Sequence, residues 1–128
     1  MNTINKIKQL LQNNGIGEEM AKIVACQGAH ETNNYTSFLY IFNNNCFGMK
    51  QPVKRKTLSS GALNGYAHYK NIETSVKDLI LWLDFAGMSK NYYSITGYVE
   101  ALKEKKYFED TTEHYKKGVE YFYKKYFA

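Results

Sequence analysis

The stretch Glu31-Thr32-Asn33-Asn34-Tyr35-Thr36-Ser37 starts with a carboxylate and continues as a polar turn rich in Asn and Thr. The segment before it is apolar at helical spacing, with Met20, Ile23, Val24, Ala25 and Ala29. A carboxylate that closes such a segment is unusual, because charged groups are rarely buried without a partner. Desolvation would raise the pKa of this carboxyl group and keep it protonated near neutral pH, as a general acid requires. A solvated Glu31 on the outer helix face is the alternative interpretation.

Further motifs follow Glu31 along the chain. The first is Asn44-Asn45-Cys46-Phe47-Gly48-Met49-Lys50, and the second is Tyr66-Ala67-His68-Tyr69 followed by Ile72-Glu73-Thr74-Ser75-Val76. The third is Tyr107-Phe108-Glu109-Asp110, which is followed by Tyr115 and Val119. Together with Glu31, these three motifs form one ordered pattern along the chain.

This pattern resembles the peptidoglycan glucosaminidases, glycoside hydrolase family 73. The family carries A-x-x-E-S-G-W-G-x-S, then N-N-L-F-G-I-K, and closes on Y-A-T-D-x-x-Y-A-x-x-V. The resemblance extends over residues 20–127. It implies a mainly α, lysozyme-like α+β fold in which a helical domain and a small β-hairpin lobe flank a glycan-binding cleft.

The resemblance also implies a set of site residues. Glu31 corresponds to the catalytic acid, and Tyr66 is expected to act beside it. Substrate-binding roles are implied for Tyr35, Asn44, Asn45, Phe47, Gly48 and Tyr69. The expected partner is the glycan strand of peptidoglycan, bound by a monomer without a metal or a cofactor.

Two departures from the family pattern affect the chemistry. Asn33-Asn34-Tyr35 replaces Gly-Trp-Gly after the acid, and the segment 51–72 lacks the Asp or Glu that many members carry there. Three routes therefore remain open for the second catalytic group. The substrate's own acetamide, oriented by Tyr66 or Tyr69, is weakly favoured. A water activated by Glu73 or Asp78, or formation of an anhydro sugar as in lytic transglycosylases, are the others.

Composition restricts the partners. The 128 residues suit one domain spanning 1–128, and 44% hydrophobic with 23% charged residues is ordinary for a globular protein. A net charge of +5 favours anionic partners such as bacterial walls, with Lys54, Arg55 and Lys56 as the local basic run. Nucleic acid is not expected, because no nucleic-acid-binding motif is present. Cys26 and Cys46 match no zinc-site spacing and are expected to be small buried residues.

Neither a signal peptide nor a membrane-spanning segment is evident from the sequence. We therefore expect synthesis in a cytoplasm and no membrane insertion, with action on the wall after release or from a virion. This pattern is typical of a phage-encoded lytic enzyme.

Local signals predict the elements. Ile4, Ile7, Leu10 and Leu11 predict a helix that Asn14-Gly15 ends, and a second helix is expected over residues 17–31. A short helix is expected over 38–42, a loop or hairpin over 51–65, and a returning strand over 66–72. Three more helices are predicted. The first is capped by Thr74 or Ser75, and the second covers residues 98–105. The last begins with a capping-box-like spacing of Asp110 and Glu113 and ends at Tyr126.

Three function classes follow. The first is an active peptidoglycan hydrolase, expected to be an endo-β-N-acetylglucosaminidase, with a muramidase or lytic transglycosylase as alternatives on the same fold. The second is a domain that binds wall glycan, or serves in a virion, without turnover. The third is an unrelated helical binding protein, which the ordered motifs disfavour.

Overall fold

The computed structural model describes residues 1–128 and is mainly helical. Six helices and one hairpin follow each other as α1 (Thr3–Asn13), α2 (Glu18–Glu31), α3 (Phe38–Ile41), β1 (Gly61–Leu63), β2 (Tyr66–His68), α4 (Ile72–Ala86), α5 (Ile95–Glu104) and α6 (Thr112–Tyr126). The mainly α fold with a small antiparallel sheet confirms the expected class.

Helix α1 follows its local signals closely. The Asn2 side chain caps it by accepting a hydrogen bond from the Asn5 backbone N–H at 3.0 Å. Its apolar face is buried, and the chain leaves it at Asn14 and Gly15, whose φ of +96° suits glycine. The predicted stop is confirmed.

Helix α2 is the centre of the fold. Every residue from Met20 to Ala29 except Lys22 is buried, so the helix is covered on nearly all sides by its neighbours, including α1 and α6. Only its last turn, with His30 and Glu31, reaches partly exposed surroundings. The buried helix α2 therefore ends with the carboxylate of Glu31 at a partly exposed position.

The turn after α2 is left-handed over three consecutive residues. Asn33, Asn34 and Tyr35 have φ values of +51°, +59° and +63°. Asn tolerates this conformation better than most residues, which explains how the chain turns here without glycine. Tyr35 is held in it because its hydroxyl donates to the Ala25 carbonyl at 2.6 Å and its N–H donates to the Thr32 hydroxyl.

The hairpin is attached to the helical body by three asparagines. The side-chain amides of Asn43 and Asn45 both donate to the Ala67 carbonyl, at 3.2 and 3.0 Å, and that of Asn44 donates to the Tyr69 carbonyl at 2.8 Å. Residues 61–63 pair with 66–68 in antiparallel register. The N-N motif therefore fixes where the hairpin lies.

Three helix starts differ from the sequence predictions. Asn71 caps α4, so that helix begins at Ile72, before Thr74 and Ser75. Ser94 caps α5, so that helix begins at Ile95, three residues before the predicted start, and Thr111 caps α6 in place of Asp110. In each case an adjacent polar residue makes the capping hydrogen bond to the backbone.

Candidate active site

A cavity of about 580 Å³ opens where the end of α2 meets the hairpin, α4, α6 and the loop before α6. Its volume lies in the usual range for small-molecule and sugar sites. The wall is formed by His30, Glu31, Leu39, residues 48–53, Arg55, Tyr66, Trp82, residues 106–110 and Tyr115.

Glu31 stands in this wall as a half-buried carboxylate. Burial raises its pKa to about 7, and the negative charge of Asp110 acts in the same direction. The nearby Tyr115 hydroxyl lowers the pKa in part. This hydroxyl is buried and makes no hydrogen bond of good geometry. Glu31 can therefore carry a proton near neutral pH and release it to a substrate.

Aromatic packing supports the ring of Tyr115 beneath Glu31. Phe108 stacks on Tyr115 with ring centroids 3.9 Å apart and planes at 5°, and His30 packs edge-on at 4.8 Å. Gly118 permits this arrangement, because a Cβ there would come within 2.1 Å of His30 Nδ1. Burial and the charge of His114 lower the pKa of His30, which favours its neutral form.

Two more carboxylates line the cavity, Glu109 and Asp110. The two acids named from the sequence do not. Glu73 is exposed on the first turn of α4, and Asp78 is buried in a network of donors that includes Arg55. The expectation that either activates water is not supported, because neither carboxylate reaches the cavity wall.

The sequence profile of one family, Glucosaminidase, described as mannosyl-glycoprotein endo-beta-N-acetylglucosaminidase, matches residues 5–127. The chain belongs to this glucosaminidase family. No curated protein and no solved structure gives a significant match to it. The family is one of glycan-cleaving hydrolases, which agrees with a carboxylic acid in an open cavity.

In this member of the family, three of the residues predicted from the sequence meet at the cavity: Glu31, Gly48 and Tyr66. Gly48 has a φ of +66°, and a Cβ there would lie 3.4 Å from the Glu31 Cβ. Glycine thus allows the left-handed turn and keeps the backbone close to the acid.

The other five predicted residues lie away from the cavity wall. Tyr35, Asn45, Phe47 and Tyr69 are buried, and the side-chain amide of Asn44 donates to a backbone carbonyl. In this conformation these side chains are buried or bonded within the protein, so their contact with substrate stays a prediction. Asn45 is the clearest case, because its Oδ1 accepts from Met49 N–H at 3.0 Å and its amide donates to Met49 O at 2.8 Å.

The aromatic wall of the cavity was not predicted from the sequence. Trp82 and Tyr107 pack edge to face at 4.7 Å and both line the cavity with Tyr115. Tyr107 and Tyr115 stand in the closing motif, so their place in the pattern was a usable signal. Trp82 had no such signal, because its i, i+3 and i+4 neighbours indicate a packed helix face.

The basic groups of this family member separate into two kinds. Lys50 and Lys106 are exposed and line the cavity, whereas Arg55 is bound to Asp78. No group of three His, Cys, Asp or Glu side chains is arranged to hold a metal ion. None of the helices has the length and apolar character that crossing a bilayer requires.

Proposed function

We propose that the protein cleaves the glycan backbone of peptidoglycan as an endo-β-N-acetylglucosaminidase, with Glu31 as the general acid. The observation that carries this proposal is a half-buried carboxyl group, with a pKa raised to about 7, in the wall of an open cavity. Membership of the glucosaminidase family supports the type of bond that is cut.

Cleavage of a glycosidic bond requires a proton on the departing oxygen, because an alkoxide is a poor leaving group. Glu31 holds that proton at neutral pH and faces the space that a sugar would occupy. The Tyr115 hydroxyl next to it stabilises the carboxylate left after transfer, since it lowers the pKa of Glu31. A positioned general acid contributes about 10²- to 10⁴-fold in rate.

The cavity wall suits a glycan chain. Ring faces pack on the C–H surfaces of pyranoses, and Tyr66, Trp82 and Tyr107 provide three rings. Lys50 and Lys106 are available to pair with the lactyl and peptide carboxylates of peptidoglycan, and Glu109 and Asp110 balance their charge within the wall.

The decisive experiment is to digest purified peptidoglycan and identify the new chain ends by mass spectrometry. GlcNAc reducing ends are expected. MurNAc ends would instead identify a muramidase, anhydro-MurNAc a transglycosylase, and binding without release a non-catalytic domain. Glu31→Gln should lower the rate of release by at least about a hundredfold, whereas substitution of an exposed glutamate outside the cavity wall, Glu104→Gln, should not.

A further inference from the structure

The loop between α5 and α6 contributes Glu109 and Asp110, the carboxylates that share the cavity with Glu31. The loop backbone is held in place on both sides. Lys103 Nζ donates to the carbonyls of Glu109 and Asp110, at 3.1 and 2.7 Å, and Phe108 is anchored by its stacking on Tyr115. The backbone that carries the two acidic side chains is thus held in place.

Asp110 and Glu109 differ in what their carboxylates do. Asp110 Oδ1 accepts from the Thr111 N–H at 2.7 Å, and Oδ2 is paired with His114 Nδ1 at the start of α6. Both of its oxygens are therefore engaged within the protein. Glu109 makes no side-chain hydrogen bond and no ion pair, and its side chain is exposed in the cavity wall.

The sequence makes the same residue unusual. The closing pattern to which residues 107–110 correspond has Thr where this chain has Glu109, and the segment 51–72 has no acid at all. The chain lacks a carboxylate in the hairpin lobe but carries an additional one on another wall of the same cavity. A hydrolase that proceeds through a single displacement needs two carboxyl groups, with room between them for a water.

We infer that Glu109 is the general base of this site and activates the attacking water. This inference rests on the proposed glycosidase function. The water oxygen forms a bond to the anomeric carbon while the bond from that carbon to the glycosidic oxygen breaks. Glu109 takes one proton from the water, Glu31 gives one to the departing oxygen, and solvent exchange restores both groups.

Direct displacement by water inverts the anomeric centre. A β-linked substrate should therefore release its new reducing end first as the α anomer, which proton NMR detects before mutarotation. Participation of the substrate acetamide would retain the β configuration. First release of the β anomer by the wild-type protein would overturn the inference.

Substitution of the base gives a second, independent measurement. Glu109→Gln should lower kcat by about a hundredfold or more with little change in KM, because the lost contact is to the attacking water. Azide, which needs no deprotonation, should restore turnover of Glu109→Gln and yield an α-glycosyl azide. Glu104→Gln, outside the cavity at the end of α5, is the matched control.

The results separate this inference from the proposed function. An inert wild-type protein, or an active Glu31→Gln variant, would contradict the glycosidase assignment itself. A Glu109→Gln variant with near wild-type kcat, in a protein that still depends on Glu31, would contradict only the role of Glu109.

Discussion

Arg55 and Asp78 form a buried, bidentate ion pair, in which Nη1 lies 2.9 Å from Oδ1 and Nη2 lies 3.1 Å from Oδ2. Their side chains are only 5% and 0% exposed. The carboxylate also accepts from the Thr57 hydroxyl, the Leu58 N–H and the Tyr69 hydroxyl. The pair thereby fastens the irregular segment 50–60, part of which lines the cavity, to helix α4.

Asp78→Asn should destabilise the protein by about 3–5 kcal/mol, because it leaves the Arg55 guanidinium buried without its counter-charge. Urea unfolding at pH 7 measures this loss. Burial works to raise the Asp78 pKa, but the hydrogen bonds from Arg55, Tyr69 and the segment 57–58 outweigh it and lower the pKa below its usual value. The stabilisation is therefore present above about pH 4 and is lost in more acidic solution.

The difference in unfolding free energy between wild type and Asp78→Asn should accordingly shrink as the pH falls below about 4. An equal difference at pH 3 and pH 7 would contradict the assignment of the lost stability to the ionised pair. Asp84 lies in the same helix as Asp78 and makes an exposed pair with Lys90 in the following loop, so Asp84→Asn should change stability by less than about 1 kcal/mol.

The pH profile of glycan cleavage should report the protonation of Glu31. Activity should fall above about pH 7, because burial, together with the charge of Asp110, raises the acid's pKa to about 7. Asp110→Asn removes the negative charge and should move this alkaline limb to lower pH. Tyr115→Phe removes the interaction that lowers the pKa and should move it to higher pH. If the alkaline limb moved in the same direction in both variants, this electrostatic explanation would be excluded.

Glu31→Gln should make the folded protein more stable as well as inactive. The folded-state pKa lies above the ordinary 4.5, so the ionised acid is disfavoured in the native state and stability falls as the pH rises from about 4.5 to 7. The neutral amide removes this cost, and a gain of about 1–3 kcal/mol is expected at pH 8, with little change at pH 4. Thermal unfolding of both proteins at the two pH values measures it. A Gln variant that is no more stable than wild type at pH 8 would show that the ionised carboxylate carries no such cost in the folded protein.

The elements were predictable from local signals, but the helix starts were less so. Helix α2 and its end at Glu31 follow from apolar spacing, and α1 stops at Asn14-Gly15 as expected. The start of α4 could not be predicted from the sequence, because Asn71, Thr74 and Ser75 are all residues that can cap a helix. The Ser75 hydroxyl instead donates to Ile72 O and accepts from Cys46 N–H in the core, a partner that only the tertiary structure supplies.

The site was predictable where motif and chemistry agree. Glu31, Gly48 and Tyr66 carried their own signals and meet at the cavity. Asn44 and Asn45 were predicted to bind substrate because they match the N-N positions of the family motif. Their partners are backbone carbonyls in the hairpin more than twenty residues away, and sequence periodicity contains no information about such contacts. Glu109 likewise shares the cavity wall with Glu31 although the two residues are far apart in the sequence.

Phe47→Ala should cost about 3–5 kcal/mol of stability, since Phe47 is fully buried and the substitution leaves a cavity. The Phe47 backbone also connects the motif to the loop before α6, because its carbonyl accepts a hydrogen bond from the Tyr107 hydroxyl at 3.1 Å. Phe42→Ala is the matched control, as that ring is 67% exposed beside the same motif, and its substitution should change stability by less than about 0.5 kcal/mol. Equal unfolding midpoints for the two variants would show that Phe47 is not part of the core.

Tyr66→Phe and Tyr69→Phe should separate catalysis from stability. The two residues lie on opposite faces of the strand end, Tyr66 in the cavity wall and Tyr69 buried with its hydroxyl 2.5 Å from Asp78 Oδ2. If Tyr66 acts beside Glu31 as predicted, Tyr66→Phe should lower kcat more than it raises KM, with unfolding unchanged, because the lost contact would be made mainly in the transition state. Tyr69→Phe should cost about 1.5–3 kcal/mol, the usual loss for a hydrogen bond to a charged group, and leave kcat near wild type below its unfolding temperature. The reverse assignment of effects, with Tyr69→Phe lowering kcat and Tyr66→Phe lowering stability, would mean that the strand presents its other face to the glycan.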